Sequence, residues 1–188
     1  MEKDTWSIST GDIYKGGISR VFYVLVKGNA TFPSFYSIEK GERQVLGEEP
    51  GEYPFFVSSM DVSSCNEYDN SGEFLLIGDG GDPSCHYINS KFAVSSHVFL
   101  LSPKERTNTE FINIYLRGHM SKWGLLYKGA TIANISRTDL KQIRIPIPSK
   151  EEQERIVAQY NHLQELKHKL SDEIVELEKQ MKELTKRT

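Results

Sequence analysis

The sequence predicts an α+β protein, in which a β-rich mixed domain is followed by one long C-terminal coiled-coil helix. Two observations carry that prediction. Glycine and proline are spread through residues 1–148 and are absent from residues 149–188. Across the same boundary the apolar residues change from short β-branched and aromatic runs to a heptad repeat. The chain of 188 residues therefore reads as two domains, 1–148 and 149–188.

In the first domain, Val21–Val26, Tyr53–Val57, Phe74–Ile77 and Phe92–Val94 are rich in strand formers and bounded by turn residues, so each is a strand candidate. Gly78-Asp79-Gly80-Gly81-Asp82-Pro83 lacks a phosphate-binding lysine and a following helical pattern, and reads as a tight connection between strands. From Asn108 to Tyr127, Phe111, Ile112, Tyr115, Leu116, Met120 and Trp123 recur at near-helical spacing. They predict one helix with those side chains in the core, ended by Gly129.

The second domain begins at a helix-start signal, Ser149-Lys150-Glu151-Glu152. The Ser149 hydroxyl is placed to accept an orphan N–H, and Glu152 to reach back in a capping box. Ile156, Leu163, Leu170, Leu177 and Leu184 follow seven apart. Tyr160, Ile174 and Met181 fill the second seam position, where Lys167, beside Leu166, interrupts one heptad. About 38 residues at 1.5 Å each make a helix of roughly 57 Å, too long for a domain of 148 residues to cover. Ile156, Tyr160, Leu163, Leu170, Ile174, Leu177, Met181 and Leu184 are thus candidate dimerisation residues, with a helix folded back on its own domain as the alternative.

Composition narrows the function. The 23 basic and 26 acidic residues leave a net charge of -3, which excludes a histone-like polycation. No apolar run is long enough to span a membrane and the start lacks a secretory leader, so a cytoplasmic protein with no membrane partner is expected. Cys65 and Cys85 are too few for a disulfide framework or a zinc site, and no metal is expected. Charge is uneven: residues 1–82 carry 6 basic and 14 acidic side chains, residues 83–148 carry 9 and 3, and residues 149–188 carry 8 and 9. The middle segment, with Lys91, Lys104, Arg106, Arg117, Lys122, Lys128, Arg137, Lys141 and Arg144, is suited to phosphates. Tyr87 and His97 lie near enough in sequence to read base edges. A solvated basic face remains the competing reading.

The chain offers little chemistry. It has no Gly-rich loop for S-adenosylmethionine, no Asn-Pro-Pro-Tyr tetrapeptide and no Walker lysine. Asp139-Leu140-Lys141 has the Asp-x-Lys form of metal-dependent nucleases without a companion acidic motif, and Cys85, His86 and His97 have no carboxylate placed by the sequence to orient them. No catalytic residue is assigned.

Three strings carry a resemblance: Gly129-Ala130-Thr131-Ile132-Ala133-Asn134-Ile135-Ser136, then Leu140-Lys141-Gln142-Ile143-Arg144-Ile145-Pro146-Ile147-Pro148, then Glu151-Glu152-Gln153-Glu154-Arg155-Ile156-Val157. Together they resemble the signature closing a target-recognition domain in DNA specificity (S) subunits of type I restriction-modification enzymes. Gly51–Ser59, Leu76–Gly81 and Lys91–Val98 are similar to that family's central β-rich elements. The match covers about residues 36–188.

The resemblance implies a target-recognition domain over 1–148 and a conserved-type spacer and dimerisation helix over 149–188. The S subunit would be non-catalytic and would bind double-stranded DNA. It would direct adenine methyltransferase (M) and restriction (R) subunits, which alone use S-adenosylmethionine, ATP and magnesium; no cofactor is expected in this chain. Family S subunits usually hold two recognition domains whose helices pair antiparallel. One domain and one helix here imply a half-subunit that homodimerises and reads a bipartite target. Within residues 83–128, the expected DNA-contacting residues are Lys91, Ser95, His97, Arg117, Lys122 and Lys128. An interaction protein that modulates assembly through its coiled coil without reading DNA, a nuclease built on Asp139 and Lys141, and a fragment of a longer gene remain alternatives.

Overall fold

The computed structural model describes residues 30–31, 35–43, 50–104 and 108–185; the strand expected at Val21–Val26 lies outside them. The chain divides into two compact units, 1–148 and 149–188.

The first unit is built on a six-stranded sheet in the order β2-β7-β5-β6-β3-β4, comprising β2 (Tyr36–Lys40), β3 (Tyr53–Phe56), β4 (Val62–Cys65), β5 (Asn70–Gly78), β6 (Cys85–Val94) and β7 (Val98–Pro103). β1 (Ala30–Thr31) pairs separately with β8 (Arg144–Ile145), and both lie in this unit. All neighbours are antiparallel except β3 and β6, which run parallel through Phe55–Ala93 and Phe56–Val94. The expected strand at Phe74–Ile77 is longer, as β5, and that at Phe92–Val94 is the end of β6. Their hairpin closes through residues 79–84, the glycine-rich connection.

β5 and β7 are interior strands, and the segments through which they pair, Leu75–Gly78 and Val98–Leu101, are buried without alternation. Leu75, Leu76, Ile77 and Leu101 are wholly buried, each contributing roughly 1.5–3 kcal/mol of gross burial. Phe92 and Val94 at the end of β6 share one cluster with Phe56, Leu76, Val98 and Leu100. Phe92 meets Phe56 edge-on at 5.9 Å and Phe74 at 5.4 Å, the arrangement that the ring quadrupoles favour.

The single helix expected over 108–127 is three pieces: α1 (Thr109–Gly118), α2 (Met120–Trp123) and a 3-10 turn (Gly124–Leu126). Asn108 caps α1 by accepting the Phe111 N–H at 2.9 Å. The break at Gly118–His119 has a local cause. The His119 ring stacks on Tyr115 at 4.2 Å and its Nδ1 bonds the Tyr115 carbonyl. Leu116 O accepts both the His119 N–H, three residues on, and the Trp123 indole. These bonds occupy carbonyls that a continuing helix would use. Phe111, Ile112, Leu116 and Trp123 are buried as expected, whereas Tyr115 and Met120 are half-exposed. α3 (Arg137–Leu140) is a short turn opened by a reciprocal cap between Ser136 and Asp139.

The second unit contains α4 (Lys150–Thr185), 36 residues and so about 54 Å long. Its start differs from the expected capping box. Ser149 accepts the Glu152 N–H at 3.3 Å, but the Glu152 carboxylate is held by Arg155 at 2.6 and 2.7 Å. The charged fork three residues on outcompetes the backbone N–H. Among the described residues, no helix is long and apolar enough to cross a membrane.

Candidate nucleic-acid interface

Two of the segments similar to that family, Leu76–Gly81 and Gly129–Ser136, meet in space. Lys128 and Asn134 exchange both backbone hydrogen bonds, at 2.8 and 2.9 Å, so residues 129–133 form a closed loop. Gly129 takes φ +152° at its start, a conformation that side chains disfavour. The loop docks on the β5–β6 connection. Gly81 N–H donates to Ala133 O at 2.9 Å, Ile135 N–H donates to Asp79 O at 2.8 Å, and Gly80 bridges Asn134. The Ser58 hydroxyl brackets Gly80 from the other side, donating to its carbonyl and accepting its N–H at 3.0 Å. Tyr127 donates its hydroxyl to Gly78 O, and burial pushes that phenol far above its ordinary value. These bonds satisfy the polar groups of the connection and tie it to the loop.

Asp79 is the polar centre of this end of the sheet. Lys40 of β2 forms an ion pair with its Oδ2, and His97 Nδ1 lies 3.3 Å from its Oδ1. The Asp79 N–H donates to His97 O at 2.9 Å, so backbone and side chain bind the same residue. Lys40 also lies 4.5 Å above the Phe99 ring.

The six DNA-contact candidates divide by exposure. Arg117 near the end of α1 and Lys122 in α2 are exposed, and no ion pair joins either to a carboxylate among the described residues. His97 is exposed with its ring turned to Asp79. Lys128 is half committed, its ammonium 3.1 Å from Asp139. Lys91 of β6 is exposed and lies 4.7 Å above the Tyr68 ring, which in turn meets Tyr53 at 5.0 Å.

Ser95 needs correction as a contact residue. It is wholly buried in the β6–β7 turn, where its hydroxyl accepts the His97 N–H at 3.3 Å and its own N–H donates to Phe56 O at 2.9 Å. A side chain enclosed on that turn has no surface to offer a duplex. It shapes the loop that presents His97.

Groups with catalytic potential on paper have structural tasks. Burial pushes the Cys85 thiol up to about 12 against the opposing pull of Arg117, which leaves it neutral and inert. Burial lowers the adjacent His86, whose Nε2 bonds Ser59 O at 2.8 Å. Burial also raises Asp139, but the Ser136 hydroxyl and Lys128 outweigh it and hold the carboxyl below its usual range. Its oxygens are spent on the α3 cap and Lys128.

Sequence reading missed Lys40 and Arg43, which pair with Asp79 and Asp69, because both lie in the net-acidic segment and were averaged away. It also missed Asn89 and Ser90, exposed beside Lys91 on β6. Three successive polar residues inside a strand pattern were the available signal.

The first unit is thus a mixed sheet whose glycine-rich connection is held by the loop of residues 129–133, and a long helix with an apolar seam follows it in the chain. The chain belongs to the family described as the type I restriction modification DNA specificity domain, which matches residues 35–176, about three quarters of its length. It is 28% identical over 116 residues to the type I restriction enzyme EcoDI specificity subunit of Escherichia coli, covering 62% of this chain and 26% of that one. Its fold is similar to a type I restriction-modification S subunit from M. genitalium, with a TM-score of 0.63 and 22% identity over 74% of this chain and 40% of that one. It is also similar to the HsdS subunit from Thermoanaerobacter tengcongensis, with a TM-score of 0.53 and 21% identity over 73% of this chain and 37% of that one. The chain thus spans less than half the length of these relatives.

Proposed function

We propose that this chain is the DNA-reading half of a type I restriction-modification specificity unit. Two copies pair through α4, each first domain reads one half of a bipartite duplex target, and the pair directs adenine methyltransferase and restriction subunits in the cytoplasm. S-adenosylmethionine, ATP and magnesium serve those partners. Residues 1–148 act as the target-recognition domain and 149–188 as the spacer. Arg117, Lys122 and Lys128 supply phosphate contacts, with Lys91 and His97 nearer the bases.

The observation that carries this reading is the seam of α4. Leu163, Leu170, Leu177 and Leu184 stand seven apart and are 52–65% exposed, with Ile174 and Met181 exposed between them; Ile156 and Tyr160 are partly exposed. Residues spaced so regularly cover one another only across a second helix. Two identical helices bring two-fold symmetry, and a two-fold protein suits two half-sites.

Light scattering from submicromolar to tens of micromolar protein tests the pairing. A mass of about 43 kDa, twice the 21.5 kDa of the chain, is expected. A value near 21.5 kDa throughout refutes it and leaves the seam to a different helix.

A further inference from the structure

The β5–β6 hairpin contains a stretch that no third strand joins. β7 pairs with β5 from Leu75 to Gly78, and β3 pairs with β6 at Ala93 and Val94. Between those limits, Ser71–Phe74 and Ile88–Lys91 pair only with each other among the described residues, through Ser71–Lys91, Gly72–Ser90, Glu73–Asn89 and Phe74–Ile88. Asn89, Ser90 and Lys91 are exposed in succession. Alternate strand residues point to opposite faces, so both faces of the ribbon meet solvent here. Phe74 and Ile88 anchor it by packing on the core cluster. Gly72 has φ +115°, and a Cβ there would meet nothing nearer than the Phe74 ring at 4.0 Å, so the backbone is open to close approach by another molecule.

A shallow, open depression lies beside this ribbon, with Glu52, Tyr53, Ser71, Asn89, Ser90 and Lys91 along it. Its side chains cover the donor and acceptor types that distinguish base pairs. An ammonium donates to guanine O6 and N7, a carboxamide bonds adenine N6 and N7 at once, a carboxylate accepts from cytosine N4, and hydroxyls serve either way. The Lys91 ammonium rests 4.7 Å over Tyr68, so a cation stands at the rim without a carboxylate in ion-pair contact among the described residues. Strands held by a core position such groups more firmly than a loop does.

Resting on the proposed reading of DNA by this chain, we propose that the ribbon of Ser71–Phe74 and Ile88–Lys91 enters the major groove and is a specificity-determining element. Asn89 and Lys91 read base edges, while Ser71 and Glu52 complete the contacts. The groove, about 12 Å wide, admits a two-stranded ribbon as readily as a helix. Arg117 and Lys122, on helices, fix the protein's register through phosphates.

The full chain is equilibrated with a duplex library carrying a randomised window, and bound DNA is sequenced for the wild type, Asn89→Ala, Lys91→Ala and Lys91→Arg. The wild type is expected to select a motif. Asn89→Ala and Lys91→Ala should each lose about tenfold or more of the preference at one or two positions and leave the others intact. Lys91→Arg should keep a guanine preference where Lys91→Ala loses it. A motif unchanged in both alanine variants overturns the ribbon's role while the wider reading stands. A wild type that binds without selection also overturns it, and a wild type that binds no duplex overturns the reading beneath it as well.

Discussion

Gly80 and Asn134 face each other across an antiparallel bridge, so closely that a methyl group on Gly80 would lie 2.6 Å from Asn134 Oδ1. Asn134 cannot swing away freely, because its amide donates to Ile132 O at 2.9 Å and its backbone is tied to Lys128. One asparagine therefore closes the signature loop and seats it on the β5–β6 connection. This explains why the two segments belong together although some fifty positions separate them.

Gly129→Ala should destabilise the first domain more than Gly80→Ala. At Gly129 the added carbon meets the Ile132 carbonyl oxygen at 2.2 Å with φ at +152°, and a backbone atom has nowhere to go. At Gly80 the obstacle is a side-chain oxygen that can move once the Ile132 bond is surrendered. Losses of about 3 and about 1 kcal/mol are expected. Urea unfolding of the two variants checks this, and equal or reversed midpoints would contradict the account of the loop.

His86 should make stability fall in mild acid. Burial lowers its proton affinity, the Ser59 carbonyl bond works against that, and the Arg117 charge adds to the lowering. The unfolded chain then takes up a proton near the ordinary imidazole value of about 6.5, where the folded chain does not. The stability this contributes is present above that value and is lost as pH falls through the lower folded value. Thermal midpoints of the wild type should decline from about pH 7 to 5, and His86→Gln, which keeps a donor for Ser59 O, should flatten that decline. Parallel curves would show that another group titrates.

Much of this architecture is legible in the sequence. The loss of glycine and proline after residue 148 and the heptads of α4 are local patterns that a helix expresses whatever surrounds it. Only the apolar second half of strand β5 carries a strand signal, because its first residues Asn70–Glu73 pair in a ribbon that buries little. Helix α1 was drawn too long because the bonds that break it, from His119 and Trp123 to carbonyls in the preceding turn, leave the apolar spacing intact. In the candidate interface, the residue type of Ser95 suits a polar contact but the side chain is enclosed, whereas Lys40 sits in a net-acidic segment and is singled out only by Asp79, 39 positions away. Side-chain type is local information; exposure and ion pairing depend on which strands become neighbours.

Arg117→Gln and Lys122→Gln should weaken duplex binding nearly alike for all sequences, and each should reduce the slope of log affinity against log salt by about 0.9. Both side chains are exposed, so neither change should alter the fold. Ser95→Ala should behave in the opposite way, lowering the unfolding midpoint with the salt slope unchanged. Binding titrations at several salt concentrations decide the matter, and an unchanged slope in both glutamine variants would remove the phosphate assignment.

Lys167 occupies the seam position that Tyr160, Ile174 and Met181 fill in neighbouring heptads, seven residues from two of them. In a paired helix a lysine there must carry its ammonium out past apolar neighbours, which costs association energy while disfavouring registers that would bury it. Lys167→Leu should therefore tighten self-association by about tenfold, worth about 1.4 kcal/mol, and should also admit alternative alignments of the two helices. Leu170→Lys, three residues on in the leucine row, should weaken association by at least as much, because it adds a second charge to the same stretch and removes a large apolar side chain. Sedimentation velocity across a concentration series separates these effects, and crosslinking of single cysteines placed along α4 reports the alignment. Association that neither substitution changes would mean the apolar row of α4 is not where two chains meet.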